Sequence, residues 1–94
     1  MRIAYIIWLP DIEDKLFEKH AVLAEEVEEI LFDYPHIRFV ENGHREDEDL
    51  YAAYGQTTAG RWLIVFFILK EQHEVLIISA RDMDRKERRL YAKR

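Results

Sequence analysis

Residues 74–94 read EVLIISARDMDRKERRLYAKR, and the fold turns on how this stretch divides. Its first half, 75–80, is a β-branched apolar run, which predicts a buried strand. Its second half, 84–94, predicts a basic helix. Asp84 is placed to cap that helix, and Glu87, three residues on, completes a capping box. Arg81 stands between the halves, where the strand leaves the core. A strand that delivers a cation to the mouth of the fold, followed by a cationic helix, can hold a phosphate. The same residues also suit an ordinary sheet-to-helix corner.

Upstream, 61–69 (RWLIVFFIL) is apolar on both faces and is expected centrally in a sheet. Residues 70–73 read as a hairpin turn, 50–56 as a strand and 57–60 as another turn. Residues 37–41 form a further strand, closed by the turn signal Asn42-Gly43. The hydrophilic run 44–49 reads as a solubilising loop, or as carboxylates that bind a metal. At the N-terminus, 2–8 predicts a short strand stopped by Pro10. Asp11 is the expected cap of a helix reaching about His20, with Asp14 favourable in its first turn and Ile12, Leu16 and Phe17 as its apolar stripe. After a tight link at Ala21-Val22, a second helix spans about 23–33 and ends at Pro35. Leu23, Val27, Ile30 and Leu31 form its apolar face. Glu25, Glu26, Glu28 and Glu29 read as its solvated face. The order β-α-α-β-β-β-β-α implies an α+β fold: one domain over 1–94, a mainly antiparallel sheet, two N-terminal helices and one C-terminal helix.

Composition narrows the function. Apolar residues are 49% of 94, with 3 Gly and 2 Pro, which excludes a disordered chain. There is no Cys, hence no disulfide, thiolate nucleophile or Cys-based zinc site. No apolar run approaches the roughly 20 residues that span a bilayer, and 2–9 is too short for a signal-peptide core, so the cytoplasm is the expected compartment. The net charge of −5 is unevenly spread. Residues 1–80 hold 7 basic and 16 acidic side chains, net −9, whereas 81–94 hold 7 basic and 3 acidic, net +4. A polyanion must therefore find the C-terminal end or bind weakly.

Several segments in order carry a family resemblance: Trp8, then Lys19-His20-Ala21-Val22, then EEVEEILF at 25–32, DLYAAYGQTTAGRWLIVFF at 49–67 and IISARDMDRKERRLY at 77–91. In these the chain resembles the BrnT family of toxins from bacterial type II toxin–antitoxin systems. The resemblance implies a RelE-like fold, metal-independent RNA cleavage with no cofactor, and a small DNA-binding antitoxin, BrnA-like with a ribbon-helix-helix pattern, as partner. Ala21 stands where the family commonly has Gly, a residue that enters left-handed backbone freely, and Leu9 where it often has Asp.

Metal-free cleavage by internal transfer needs a base for the 2′-hydroxyl, an acid for the leaving 5′-oxygen and cations for the charge on phosphorus. Arg61 and Arg81 are the candidates for the cations, and His20 for the proton shuttle. Surface salt bridging is the bland alternative for the arginines, as is a helix-end role for His20. Lys19, Tyr54, Arg85, Arg88 and Tyr91 are candidate substrate contacts; Arg85, Arg88 and Arg89 share a helix face. His36, His44 and His73 read as exposed loop residues without metal-ligand spacing. This scheme requires Arg61, Arg81 and His20 to meet in one concave pocket. The competing expectations are a catalytically weak BrnT-like module acting through an antitoxin-like partner, and a homo-oligomer paired along an exposed strand edge.

Overall fold

One sheet carries the fold, built from β1 (Tyr5–Ile7), β2 (His36–Glu41), β3 (Leu50–Gln56), β4 (Trp62–Leu69) and β5 (Glu74–Asp82). These ranges come from a computed structural model that describes residues 1–45 and 48–92. The strand order is β1-β5-β4-β3-β2, so the strand that is apolar on both faces is the central one. Neighbours pair antiparallel except β1, which runs parallel to β5. Helices α1 (Ile12–His20) and α2 (Ala24–Phe32) cover one face, and α3 (Arg85–Ala92) lies against the other. No helix among the described residues is long and apolar enough to cross a membrane.

The two faces separate by the period of two along each strand. Leu63, Val65 and Phe67 of β4 face α1 and α2, where Leu16, Val22, Val27, Ile30 and Leu31 complete the main core. Gly55 lies under Ile30, whose side chain would stand 3.0 Å from an added Cβ, so this strand position admits the helix closely because it has no side chain. On the opposite face Ala52, Tyr54, Ile64 and Met83 form a smaller cluster with Trp62, Phe66 and Tyr91.

A bulge in β5 governs everything that follows. Phe67 pairs with Ile77 but Phe66 pairs with Ser79, so Ile78 is an extra residue in the ladder. One extra residue reverses which face every later side chain takes. Buried positions accordingly run Val75, Ile77, Ala80 in place of an unbroken alternation. Ile64 pairs with Arg81 and Leu63 with Asp82. Arg81 therefore points to the α3 face, and Asp82 to the face of α1 and α2.

Local signals mostly operate where they stand. Asp84 Oδ1 accepts the Glu87 N–H at 2.8 Å and Glu87 Oε1 accepts the Asp84 N–H at 2.9 Å, the expected capping box. Asp11 does not cap α1: its backbone is already helical (φ −95°, ψ −6°) and its carboxylate makes no capping bond. The Leu23 N–H at the start of α2 donates to Glu26 Oε1 at 3.0 Å, and the Thr58 N–H donates to Glu29 Oε1 at 2.8 Å. Two of the four glutamates thus anchor backbone and are not simply a solvated face. Phe17 and Leu23, expected in apolar stripes, are about half exposed. In the loop before β3, the Gly43 N–H donates to Asp49 Oδ1 at 3.2 Å. The expectations for Glu46 and Asp47 in that loop, and for Lys93 and Arg94 in the last helix, lie outside the described residues.

Ala21 ends α1 in the left-handed region (φ 52°, ψ 37°), and its N–H donates to the Phe17 carbonyl at 2.9 Å. An L-residue there costs roughly 1–2 kcal/mol, which Gly avoids. Against this, Gly is freer in the unfolded chain by about 0.4–1 kcal/mol. Ala21 is exposed, so no packing is lost. Ala21→Gly should stabilise the fold by about 0.5–1 kcal/mol. A thermal melt would then rise by about 3–6 °C, and a fall would refute the strain.

Candidate functional site

Arg61 leaves the turn that enters β4. The Arg61 N–H donates to Thr57 Oγ1 at 3.0 Å, and the Thr57 N–H donates to the Arg61 carbonyl at 2.8 Å, which fixes the residue before its side chain extends. Its guanidinium then meets the C-terminus of α1, the first turn of α2 and the end of β5. Nε donates to Asp82 Oδ1 at 2.7 Å, and Nη2 to Asp82 Oδ2 at 3.0 Å and the His20 carbonyl at 2.7 Å. Nη1 donates to the Ala21 carbonyl at 2.6 Å and Glu26 Oε1 at 3.1 Å. A guanidinium has five N–H groups, and each has a partner. Asp82 is held below the ordinary aspartate value, first by the hydrogen bond from Arg61, with the nearby charges of Arg61 and His20 adding to it. Arg61 is correspondingly raised, chiefly by its bond to Asp82. With no N–H left over, Arg61 can grip a phosphate only by breaking this clamp.

Arg81 is bound differently. Nη1 and Nη2 take the two oxygens of Glu87 at 2.7 and 2.9 Å, and Nη1 also donates to the Asp82 carbonyl at 3.1 Å. Two of its N–H groups have no hydrogen-bond partner among the described residues. The guanidinium lies over the Phe66 ring, 5.6 Å from its centre. Glu87 is held below the ordinary glutamate value, first by the Arg81 hydrogen bond, then by the Asp84 N–H and the charges of Arg81 and Arg38. The capping box and the ion pair therefore use one carboxylate, which locks the start of α3 to the end of β5.

Beside this lock a groove of about 550 Å³ opens between β2–β3 and α3. His36, Arg38 and Tyr54 form its sheet wall, and Lys86, Glu87 and Tyr91 its helix wall. His36 pairs with Tyr54 and Arg38 with Ala52, so all three sheet residues point to the α3 face. The His36 and Tyr54 rings are 5.9 Å apart, and the Arg38 guanidinium lies 5.7 Å over Tyr54. An imidazole, two cations and two phenols thus share one concavity. Among the described residues no three His, Asp or Glu side chains are grouped as ligands for a metal ion.

The expected residues divide between the faces. Arg61 and the backbone of His20 meet on the side of α1 and α2, with Lys19 exposed beside them. Arg81, Tyr54 and Tyr91 lie on the α3 side. Among the described residues Arg61, Arg81 and His20 do not meet in one pocket, because the bulge at Ile78 turns Arg81 to the other face. Arg85 and Arg88 line a separate hollow on the far flank of α3. His36, expected in an exposed loop, is instead the half-buried first residue of β2 and a groove wall. Its place on the same face as Arg38 is legible in the sequence, since residues two apart in a strand share a face.

Among known families, a model described as the ribonuclease toxin BrnT of type II toxin–antitoxin systems matches residues 8–87. No curated protein matches the chain.

Proposed function

We propose, from the premise that this chain belongs to the BrnT family of type II toxin–antitoxin ribonuclease toxins, that it cuts RNA without a metal ion in the groove between β2–β3 and α3. The observation that carries this reading is the set His36, Arg38, Lys86, Tyr54 and Tyr91 around one concavity. His36 takes the proton of the 2′-hydroxyl, whose oxygen then attacks the adjacent phosphorus. The bond to the 5′-oxygen breaks, and that oxygen leaves with a proton from a groove acid, Tyr91 being the group on the opposite wall. Products are a 2′,3′-cyclic phosphate and a 5′-hydroxyl. Arg38 and Lys86 offset charge growing on the phosphorane, where oriented cations in a partly dry site act most strongly. Arg81 stands behind the groove, where its ion pair neutralises the groove carboxylate Glu87. Tyr54 and Tyr91 offer ring faces for the flanking bases.

The chain 1–94 acts as one such toxin domain in the cytoplasm. Its partner is a small DNA-binding antitoxin of ribbon-helix-helix type that silences it by covering the groove. An end-labelled RNA incubated with the protein in excess EDTA tests the chemistry. Cyclic-phosphate ends are expected at an undiminished rate. Cleavage that appears only on adding a divalent ion refutes the metal-free route.

A further inference from the structure

The far flank of α3 holds a second hollow, of about 440 Å³, lined by Trp62, Met83, Arg85, Arg88 and Arg89. We propose that this flank binds the phosphates of an RNA strand beyond the nucleotides held in the groove, so that the strand crosses α3 as a ridge. This rests on the reading of the groove as an RNA site.

Four observations favour it. Arg85, Arg88 and Arg89 are exposed and form no ion pair among the described residues, in a chain with 19 carboxylates. Three unneutralised cations on one helix face repel one another and favour an anion with several charges. Secondly, the cations surround an aromatic ring: the Arg88 guanidinium lies 5.6 Å over Trp62. The indole is half-buried, and a guanidinium stacked on it is held flat toward solvent, an arrangement suited to a strand's phosphates and bases. Thirdly, Tyr91 of the groove meets Trp62 of the hollow edge-on at 5.5 Å, so the two concavities adjoin through one aromatic contact. Lastly, the C-terminal end is the positive region of an otherwise acidic molecule. An acidic peptide would use the charges but has no need of the indole or of continuity with the groove. A helix is about 10–12 Å across with its side chains, more than a single nucleotide spans, so only longer RNA reaches both flanks.

The test uses the whole protein and two 2′-O-methylated RNAs, a tetranucleotide and a dodecanucleotide. These bind but cannot be cut, because the attacking hydroxyl is blocked. Fluorescence anisotropy over a salt series gives their affinities. Wild type should bind the dodecanucleotide more tightly and with a steeper salt slope. Combining Arg85→Gln, Arg88→Gln and Arg89→Gln should lower that slope by about 2, since each phosphate contact on a single strand contributes about 0.7. It should also weaken the dodecanucleotide about tenfold or more at moderate salt. Arg89→Glu alone, checked by its melt, should reproduce part of both changes and guards against a misfolded triple variant. An unchanged slope overturns the proposal. So does a variant that loses affinity for polyglutamate while its RNA binding is intact, which would assign the flank to a protein. Cleavage of the unmethylated dodecanucleotide separates the two claims. If it is cut while the slope is unchanged, only the ridge fails. If it is not cut while the slope falls, only the nuclease reading fails.

Discussion

His36→Ala should slow RNA cleavage by about 10²–10⁴-fold, the usual contribution of a positioned proton-transfer group. Of any stability lost with it, the ring contact with Tyr54 accounts for about 1 kcal/mol. The effect should fall on kcat more than on KM, because proton transfer belongs to the transition state and not to binding. Arg38→Ala should lower the rate as well, through lost charge stabilisation on the same strand face. His36 is the natural first target because it is the histidine on the sheet wall of the groove. A folded His36→Ala protein that cuts at the wild-type rate would sink the assignment. If His20→Ala were the inactive variant instead, the chemistry would return to the side of α1 and α2.

Arg61→Ala should be the most destabilising single change on that side. It removes five donors together, leaving Glu26, Asp82 and two backbone carbonyls without their partner. Hydrogen bonds to charged groups contribute about 1.5–3 kcal/mol each when dry. Here Asp82 stays largely in water, so the whole loss should be about 2–4 kcal/mol. That is a large part of the margin of a small domain and corresponds to a melt lowered by roughly 10–20 °C. Arg61→Lys keeps the charge but not the planar fork, and should recover less than half. A melt within two degrees or so of wild type would refute the clamp.

Acid should narrow the gap. Asp82 has its folded value depressed by Arg61, so its stabilisation is present above the ordinary value near 3.9 and is lost as pH falls through the folded value. Wild type and Arg61→Ala should therefore converge in stability below about pH 4. Below its own melting temperature the variant should still cut RNA. Loss of activity in a folded Arg61→Ala protein would instead favour contact with phosphate.

The sequence was clear where one local rule decides. The Asp84–Glu87 box follows from capping, the central placement of 61–69 from a run apolar on both faces, and the bounds 50–56 from the turn residues around them. It was opaque where a side chain's direction depends on a ladder partner. Nothing in EVLIISARD marks Ile78 as the residue left over, since it is as β-branched and apolar as Ile77. Read with unbroken alternation, Val75, Ile77, Ser79 and Arg81 share a face, and Arg81 falls beside Arg61. The structure places Asp82 there. Likewise Glu26 looks like any exposed glutamate in EEVEE until the turn after β3 brings Arg61 against it from 35 residues away. His36 reads as a loop residue because the strand begins one residue earlier than apolar character suggests.

Because Ile78 is surplus to the ladder, a chain lacking that one residue would pair regularly, with Phe66 still opposite Ser79 and Ile64 still opposite Arg81. Both locks would survive such a shortening. Flattening the bulge at unchanged length would instead swing Arg81 toward Arg61 and set cation against cation. Relatives that keep both locks should therefore carry either this length with a kinked strand or one residue fewer with a straight one.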